Sequence, residues 1–198
     1  VGDGLLSVGL SGGCDSVVLL HVLVELGLTE RLDAIHVHHG LSPNAGRWAT
    51  FCTDYCQRLG IACRVAHVEV ARDSGLGIEA AARATRYQAF SGMAAGTLLL
   101  GHHRGDQAET VLFNLLRGCG VVGAAAIPVA RQHGRLRILR PLLDVSRQEI
   151  AAYARQHQLA WVDDESNDDS TLARNFLRHE VLTALVGRFP AGEKNLAQ

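Results

Sequence analysis

The stretch that most constrains this chain is Ser11 to Ser16, SGGCDS, set between the apolar runs LLSVGL and VVLLHVLVEL. Leu5 to Leu10 predicts a short buried strand, and Val17 to Leu26 predicts a helix leaving the loop directly. A strand, a glycine turn and a helix aim unpaired backbone N–H groups and the positive end of a helix dipole at one spot. Such a spot is an anion site, most often for phosphate. Gly12 and Gly13 let the backbone approach a ligand with no Cβ in the way, and Ser11 and Ser16 add hydroxyl donors. Asp15 would repel phosphate, so its expected work is to hold a divalent cation that bridges phosphates. The plainer alternative is an ordinary strand-to-helix turn in which Ser and Asp only cap the helix. Neither G-x-x-x-x-G-K-[ST] nor G-x-G-x-x-G occurs, and Lys194 is the sole lysine, which excludes a Walker-type loop.

Strand-like and helix-like segments then alternate. Strands are expected at Ala34–His38, Ala62–Val70 and Thr97–Gly101, and a fifth at Leu136–Leu139 after a turn at His133-Gly134. Helices are expected at Arg47–Leu59, Ile78–Ala95, Asp106–Arg117, Ser146–Gln158 and about Leu172–Val186. The fourth of these opens with a capping box, Ser146 to Glu149, and a Val145–Ile150 staple. Arg72–Gly77 and Gly118–Gly123 read as connections, and Asp163–Asp169 (DDESNDD) as an acidic loop. The alternation predicts an α/β fold with a doubly wound parallel sheet. Ligands in such sheets sit beyond the C-terminal strand ends, at the switch point.

The 198 residues suffice for one domain with a substantial core, or one domain and a small appendage. A net charge of −1 argues against a surface that binds nucleic acid by charge alone, though it leaves room for a local basic patch. The five cysteines are odd in number and follow no framework spacing, which fits free thiols in a reduced, cytoplasmic setting. No apolar run reaches transmembrane length and no signal peptide is visible, so no membrane partner is expected. The chain opens at Val1 almost on the first strand, as expected of a piece of something longer.

The chemistry-bearing residues follow the strands. HVHHGLS (36–42) ends the second and GHHRGDQAET (101–110) the fourth, so five histidines flank one crevice. Histidines at this spacing can ligate a metal, or can satisfy local hydrogen bonds and line a nucleotide pocket. Asp106 and Glu109 read either as a capping pair or, for Asp106, as a side chain facing the crevice. In GIEAAARATRY (77–87), Glu79 and Arg83 form an i,i+4 pair. The alternative is that Arg83 and Arg86 offer guanidinium forks to an anionic or amino-acid substrate.

The loop resembles the pyrophosphate loop of the ATP pyrophosphatases, which cleave ATP between its α and β phosphates. SGGCDS, HVHHGLS, GIEAAARATRY, GHHRGDQAETVLFNLLRGCGVVGAAAIP, RPLLDVSRQEI and DDESNDDSTLARNFLRHEVL occur in that order. The series resembles the N-terminal catalytic domain of the tRNA(Ile)-lysidine synthetases over nearly the whole chain. The resemblance implies an adenine-nucleotide α-hydrolase-like (HUP) fold and a single domain over 1–198. A final helical segment, about 146–190, would pack on it, and the family's C-terminal tRNA-binding domains are expected to be absent. It implies ligation of free L-lysine to C2 of the wobble cytidine in a tRNA(Ile) with a CAU anticodon. ATP first adenylates the cytosine oxygen, and the lysine amine then displaces AMP.

By the same resemblance, Ser11, Gly12, Gly13, Cys14, Asp15 and Ser16 bind ATP. Asp15 and Asp106 hold Mg²⁺, and His103 joins them in catalysis. Glu79, Arg83, Arg86, Glu109, Arg174, Asn175 and Arg178 contact substrate. Arg131, Arg135, Arg137 and Arg140, with Arg174, Arg178 and Arg188, are the groups expected to meet RNA phosphates, weakly and with steep salt dependence. One departure is Gly105, where the family usually has the first aspartate of D-D-Q-A-E-T; another is Cys119 for serine. A tRNA thiolating enzyme of the same superfamily is the nearest rival, but it typically needs C-x-x-C pairs or catalytic cysteines, and neither pattern is present. A nucleotide-binding module without chemistry, or a metal-dependent hydrolase, is the other choice.

Overall fold

The computed structural model describes residues 4–71, 77–94, 96–120 and 126–198. Its centre is a six-stranded sheet built from β1 (Leu6–Gly9), β2 (Leu32–His38), β3 (Ala62–His67), β4 (Thr97–Leu99), β5 (Ala130–His133) and β6 (Leu136–Leu139). The strand order is β3-β2-β1-β4-β6-β5. The first five strands in that order run parallel, and β5 returns antiparallel along β6 as the edge. The chain winds outward from β1 to β3 and then crosses back to lay β4 on β1's other side. A crevice therefore opens between the C-terminal ends of β1 and β4, as a doubly wound sheet requires.

Successive side chains of the central strands enter two separate buried layers. Leu6, Val8, Ala34 and Leu99 face one side, against helices α1 (Cys14–Glu25), α2 (Ala45–Arg58) and α5 (Arg147–Gln156). Ile35, Leu98, Leu100 and Ile138 face the other, against Tyr87 and Phe90 of α3 (Ile78–Met93). Gly9 lies on that second side because a Cβ there would fall 2.6 Å from Leu100. α4 (Arg104–Leu116) packs against α8 (Gly192–Leu196) and against Leu177–Leu182, a π-helix that joins α6 (Ala173–Phe176) to α7 (Thr183–Arg188).

Several expectations shift. α1 starts at Cys14 rather than Val17, so Cys14, Asp15 and Ser16 occupy its first turn. α4 starts at Arg104 rather than Asp106, because His103 takes the N-cap. The Asp106–Glu109 capping pair is therefore replaced by a His103–Asp106 capping box, whereas the box at Ser146 and Glu149 stands as read. Arg140 does not face RNA. It is 2 % exposed, and its guanidinium donates to the Pro128 carbonyl at 2.7 Å and to the Tyr87 hydroxyl at 3.4 Å. Residues 72–76 and 121–123 of the two expected connections, residues 124–125 and Ala95 at the expected end of a helix lie outside the described residues. Among the described residues no helix is long and apolar enough to cross a membrane.

Candidate functional site

The Ser11–Ser16 loop is curled by its own side chains. Ser16 donates its hydroxyl to the Gly13 carbonyl at 2.9 Å and accepts from the Ser11 amide at 3.2 Å. With that proton spent, the 3.1 Å contact between the two serine oxygens has Ser11 donating. Gly12 holds φ +91, and a Cβ on it would fall 2.8 Å from Val162 and 3.2 Å from Cys52. The Val162 amide donates to the Gly12 carbonyl at 3.0 Å, so the irregular segment leading into the acidic stretch runs alongside the loop. Beneath, His36 Nδ1 donates to the Leu10 carbonyl at 2.9 Å, with the Cys52 thiol 3.4 Å from the same nitrogen. Burial pushes that thiol up to about 12, which makes it packing rather than a nucleophile.

The turn after β4 closes onto this loop. A Cβ on Gly101 would lie 3.0 Å from the Asp15 carbonyl and 3.2 Å from the Ser16 amide nitrogen, so glycine eases the close approach of the two backbones. It brings Asp106 to the same end of the sheet as Asp15, with His103 Nε2 3.8 Å from an oxygen of each. Burial first, offset by His103 and reinforced by Asp106, holds the Asp15 carboxyl above its ordinary range. Two carboxylates that share one imidazole neighbour offer a hard cation oxygen ligands from both strand ends. Among the described residues, no cluster of three or more His, Cys, Asp or Glu forms a self-contained metal cage.

Two cavities meet there. The first, of about 260 Å³, is lined by the loop, by the histidines that end β2, by Trp48, Arg86 and Phe90, and by Asp164. The second, of about 270 Å³, is walled by Arg83, Glu109, Thr110, Arg174, Asn175 and Arg178. His102 and Asp106 line both. Glu109 is 2 % exposed; one oxygen accepts from Arg174 at 3.0 Å, the other from Arg178 at 2.8 Å. Arg178 also lies 3.6 Å from Asp106, which ties the acid pair to the C-terminal helices. Arg174 and Arg178 are therefore not freely available for RNA. Asn175 donates to the Asp169 carbonyl at 3.0 Å.

The structure thus gathers Ser11, Asp15, Ser16, Arg86 and Asp106 at the first cavity, whereas Gly12, Gly13 and Cys14 do not line it and His103 stands behind its wall, 3.8 Å from Asp15 and Asp106. It gathers Arg83, Glu109, Arg174, Asn175 and Arg178 at the second. The side chain of Glu79 lies outside the described residues. Sequence reasoning did not single out Trp48 or Asp164. The signal for Asp164 was its place in an acidic run beside a phosphate loop, where solvated charge is the ordinary reading.

Two histidines here set a pH dependence. His39 is pushed down to about 4 by burial and by Arg86, whose Nε donates to its ring. His102 is also pushed down to about 4, mainly by burial, with Arg140, Arg83 and Arg86 adding and Asp106 opposing. From 6.5, their ordinary value, down to about 4 the unfolded chain takes up protons that the folded chain refuses. Stability is expected to fall as pH drops through that window, with nothing lost from these groups above it. A series of urea midpoints from about pH 7.5 to 4.5 checks this. A His39→Gln variant with an unflattened profile would contradict it.

Residues 2–185 match a family described as a PP-loop domain. The chain is 46 % identical over 196 residues to a Pseudomonas fluorescens protein named tRNA(Ile)-lysidine synthase, covering 96 % of this chain and 44 % of the relative. A Xanthomonas campestris protein of the same name is 51 % identical over 195 residues, with 96 % and 45 % covered. The chain thus spans under half the length of these relatives. Among solved structures, the U34-tRNA thiolase of Methanococcus maripaludis superposes with a TM-score of 0.77 at 19 % identity, over 100 % of this chain and 71 % of that one. At that identity the likeness shows the fold.

Proposed function

The chain belongs to the PP-loop domain family, and from that premise we propose that it spends ATP to join L-lysine to the wobble cytidine of a tRNA(Ile) with a CAU anticodon. The observation that carries this reading is the pair of cavities joined at His102 and Asp106. A phosphate-loop cavity beside a chamber of mixed charge suits a reaction that first activates one substrate and then admits an amine.

In the first step the cytosine C2 oxygen attacks the α-phosphorus of ATP and pyrophosphate leaves. Ser11 and Ser16 exchange their internal hydrogen bonds for the departing phosphates, and the amides of the first turn of α1 donate to them as well. Asp15 and Asp106 supply the hard oxygen donors for Mg²⁺, which when bound neutralises phosphate charge. Arg86 and the aromatic face of Trp48 bound the space for the nucleoside.

In the second step a lysine amine attacks C2, and AMP leaves with its oxygen while the amine gives up a proton. Arg83 offers the carboxylate of lysine a cationic contact and Asp106 offers its remaining ammonium group an anionic one, while Glu109 holds Arg174 and Arg178 in place as the far wall. Glu79 remains a substrate contact on the resemblance alone. We take the described residues as one catalytic unit, with the segment from about 146 to 190 packed on it. The exposed Arg131, Arg135 and Arg137 of the β5–β6 hairpin remain available to phosphate.

The test is incorporation of radiolabelled lysine into a CAU-anticodon transcript at low salt, with ATP and Mg²⁺ and no sulfur donor. Label should enter the RNA. Sulfur incorporation in place of lysine would replace this reading with a thiolating one.

A further inference from the structure

Gly105 is one of two residues at which this chain departs from the family it resembles, and no turn geometry calls for it. It lies in the first turn of α4 and is not among the glycines with positive φ. Glycine weakens a helix there unless something needs the space that a side chain would fill. The His103 ring fills it: a Cβ on residue 105 would fall 2.8 Å from His103 Cε1 and 3.1 Å from Nδ1. Folded over in this way, the ring caps the helix. The Gly105 amide donates to His103 Nδ1 at 3.0 Å, and Asp106 Oδ2 accepts from the His103 amide at 2.9 Å.

An imidazole nitrogen that accepts a hydrogen bond carries no proton, so the ring proton sits on Nε2. That atom lies 3.8 Å from Oδ2 of Asp15 and 3.8 Å from Oδ2 of Asp106. Both distances exceed hydrogen-bond reach, so the donor stands between the two carboxylates without being spent on either.

We infer that Gly105 is a positioning residue: its missing side chain holds His103 as the Nε2–H tautomer, aimed between Asp15 and Asp106 as a donor to a phosphoryl oxygen. The inference rests on the nucleotide chemistry proposed above. A neutral donor fixed beside phosphate stabilises charge that develops during transfer and needs no reorganisation. An aspartate at 105, as the resembled family has, would push its Cβ into the ring and send His103 elsewhere.

Two measurements test this, and the first is independent of turnover. Nitrogen-15 spectra of the free protein at about pH 8.5, where histidine is ordinarily neutral, should show His103 protonated at Nε2. Protonation at Nδ1 would overturn the inference. The second compares steady-state pyrophosphate release in Gly105→Ala, His103→Ala and the double variant. Gly105→Ala should lower kcat on the order of 10²-fold with KM for ATP nearly unchanged, and should melt no lower than the parent. The double variant should be no slower than His103→Ala, because both changes remove the same donor. Losses that multiply, or an unaffected kcat in Gly105→Ala, would overturn the inference. Should the parent release no pyrophosphate, the proposed chemistry fails while the tautomer result still decides the placement of His103.

Discussion

Replacing Asp15 by Asn is expected to slow pyrophosphate release at least on the order of 10³-fold while leaving the protein folded and slightly more stable. Both halves follow from one arrangement. Asp15 sits on the first turn of α1, close to Asp106, and burial together with that neighbour holds its carboxyl above the ordinary range. A group whose ionised form is disfavoured in the folded state costs stability near neutral pH, and an amide of the same shape removes that cost. What the amide cannot do is hold a hard cation against departing phosphates. Stability sacrificed at a site for its chemistry is a common trade. Parallel measurement of the release rate and the urea midpoint checks both halves. A rate near that of the parent would remove Asp15 from the mechanism, and a collapsed midpoint would make it a structural residue.

The second large effect is structural. Removing Arg174 and Arg178 together, each to Ala, leaves Glu109 almost wholly buried with neither of its guanidinium partners. Breaking a buried ion pair from one side typically costs about 3–5 kcal/mol, because the abandoned charge stays desolvated. Each single variant should cost less, since each arginine covers a different oxygen of the carboxylate. The damage should concentrate where α4 meets the π-helical segment, so hydrogen exchange there should rise before exchange in β1 and β2. A double variant that loses less than about 1 kcal/mol would mean that Glu109 is neutral or reaches water. Nucleotide binding at the first cavity should survive in the single variants, which separates this lock from the phosphate loop.

Much of this architecture could be read from residue pattern. The short apolar runs at β1, β2 and β4 and the capping box of Ser146 and Glu149 leave few alternatives to a parallel sheet with helices on both faces. β5 was less legible because Ala130–His133 is polar on both sides, as an edge strand can be. The start of α4 was misplaced because histidine is not an ordinary N-cap, and only a glycine two residues on makes room for its ring. Arg140 looked like part of a basic patch, since sequence carries no sign of the carbonyl and the tyrosine that meet it inside the fold. Glu109 looked like a surface cap for the same reason. Its two partners lie 65 and 69 residues away, beyond the reach of any local pattern.

The most direct test of the account is the identity of the products formed from ATP. ATP labelled separately at its α and γ phosphates, given with Mg²⁺ and a CAU-anticodon transcript at low salt, should yield AMP and pyrophosphate. Withholding the RNA should abolish the cleavage, because the attacking oxygen belongs to the cytidine. Formation of ADP and phosphate, or cleavage that proceeds equally well without RNA, would contradict it.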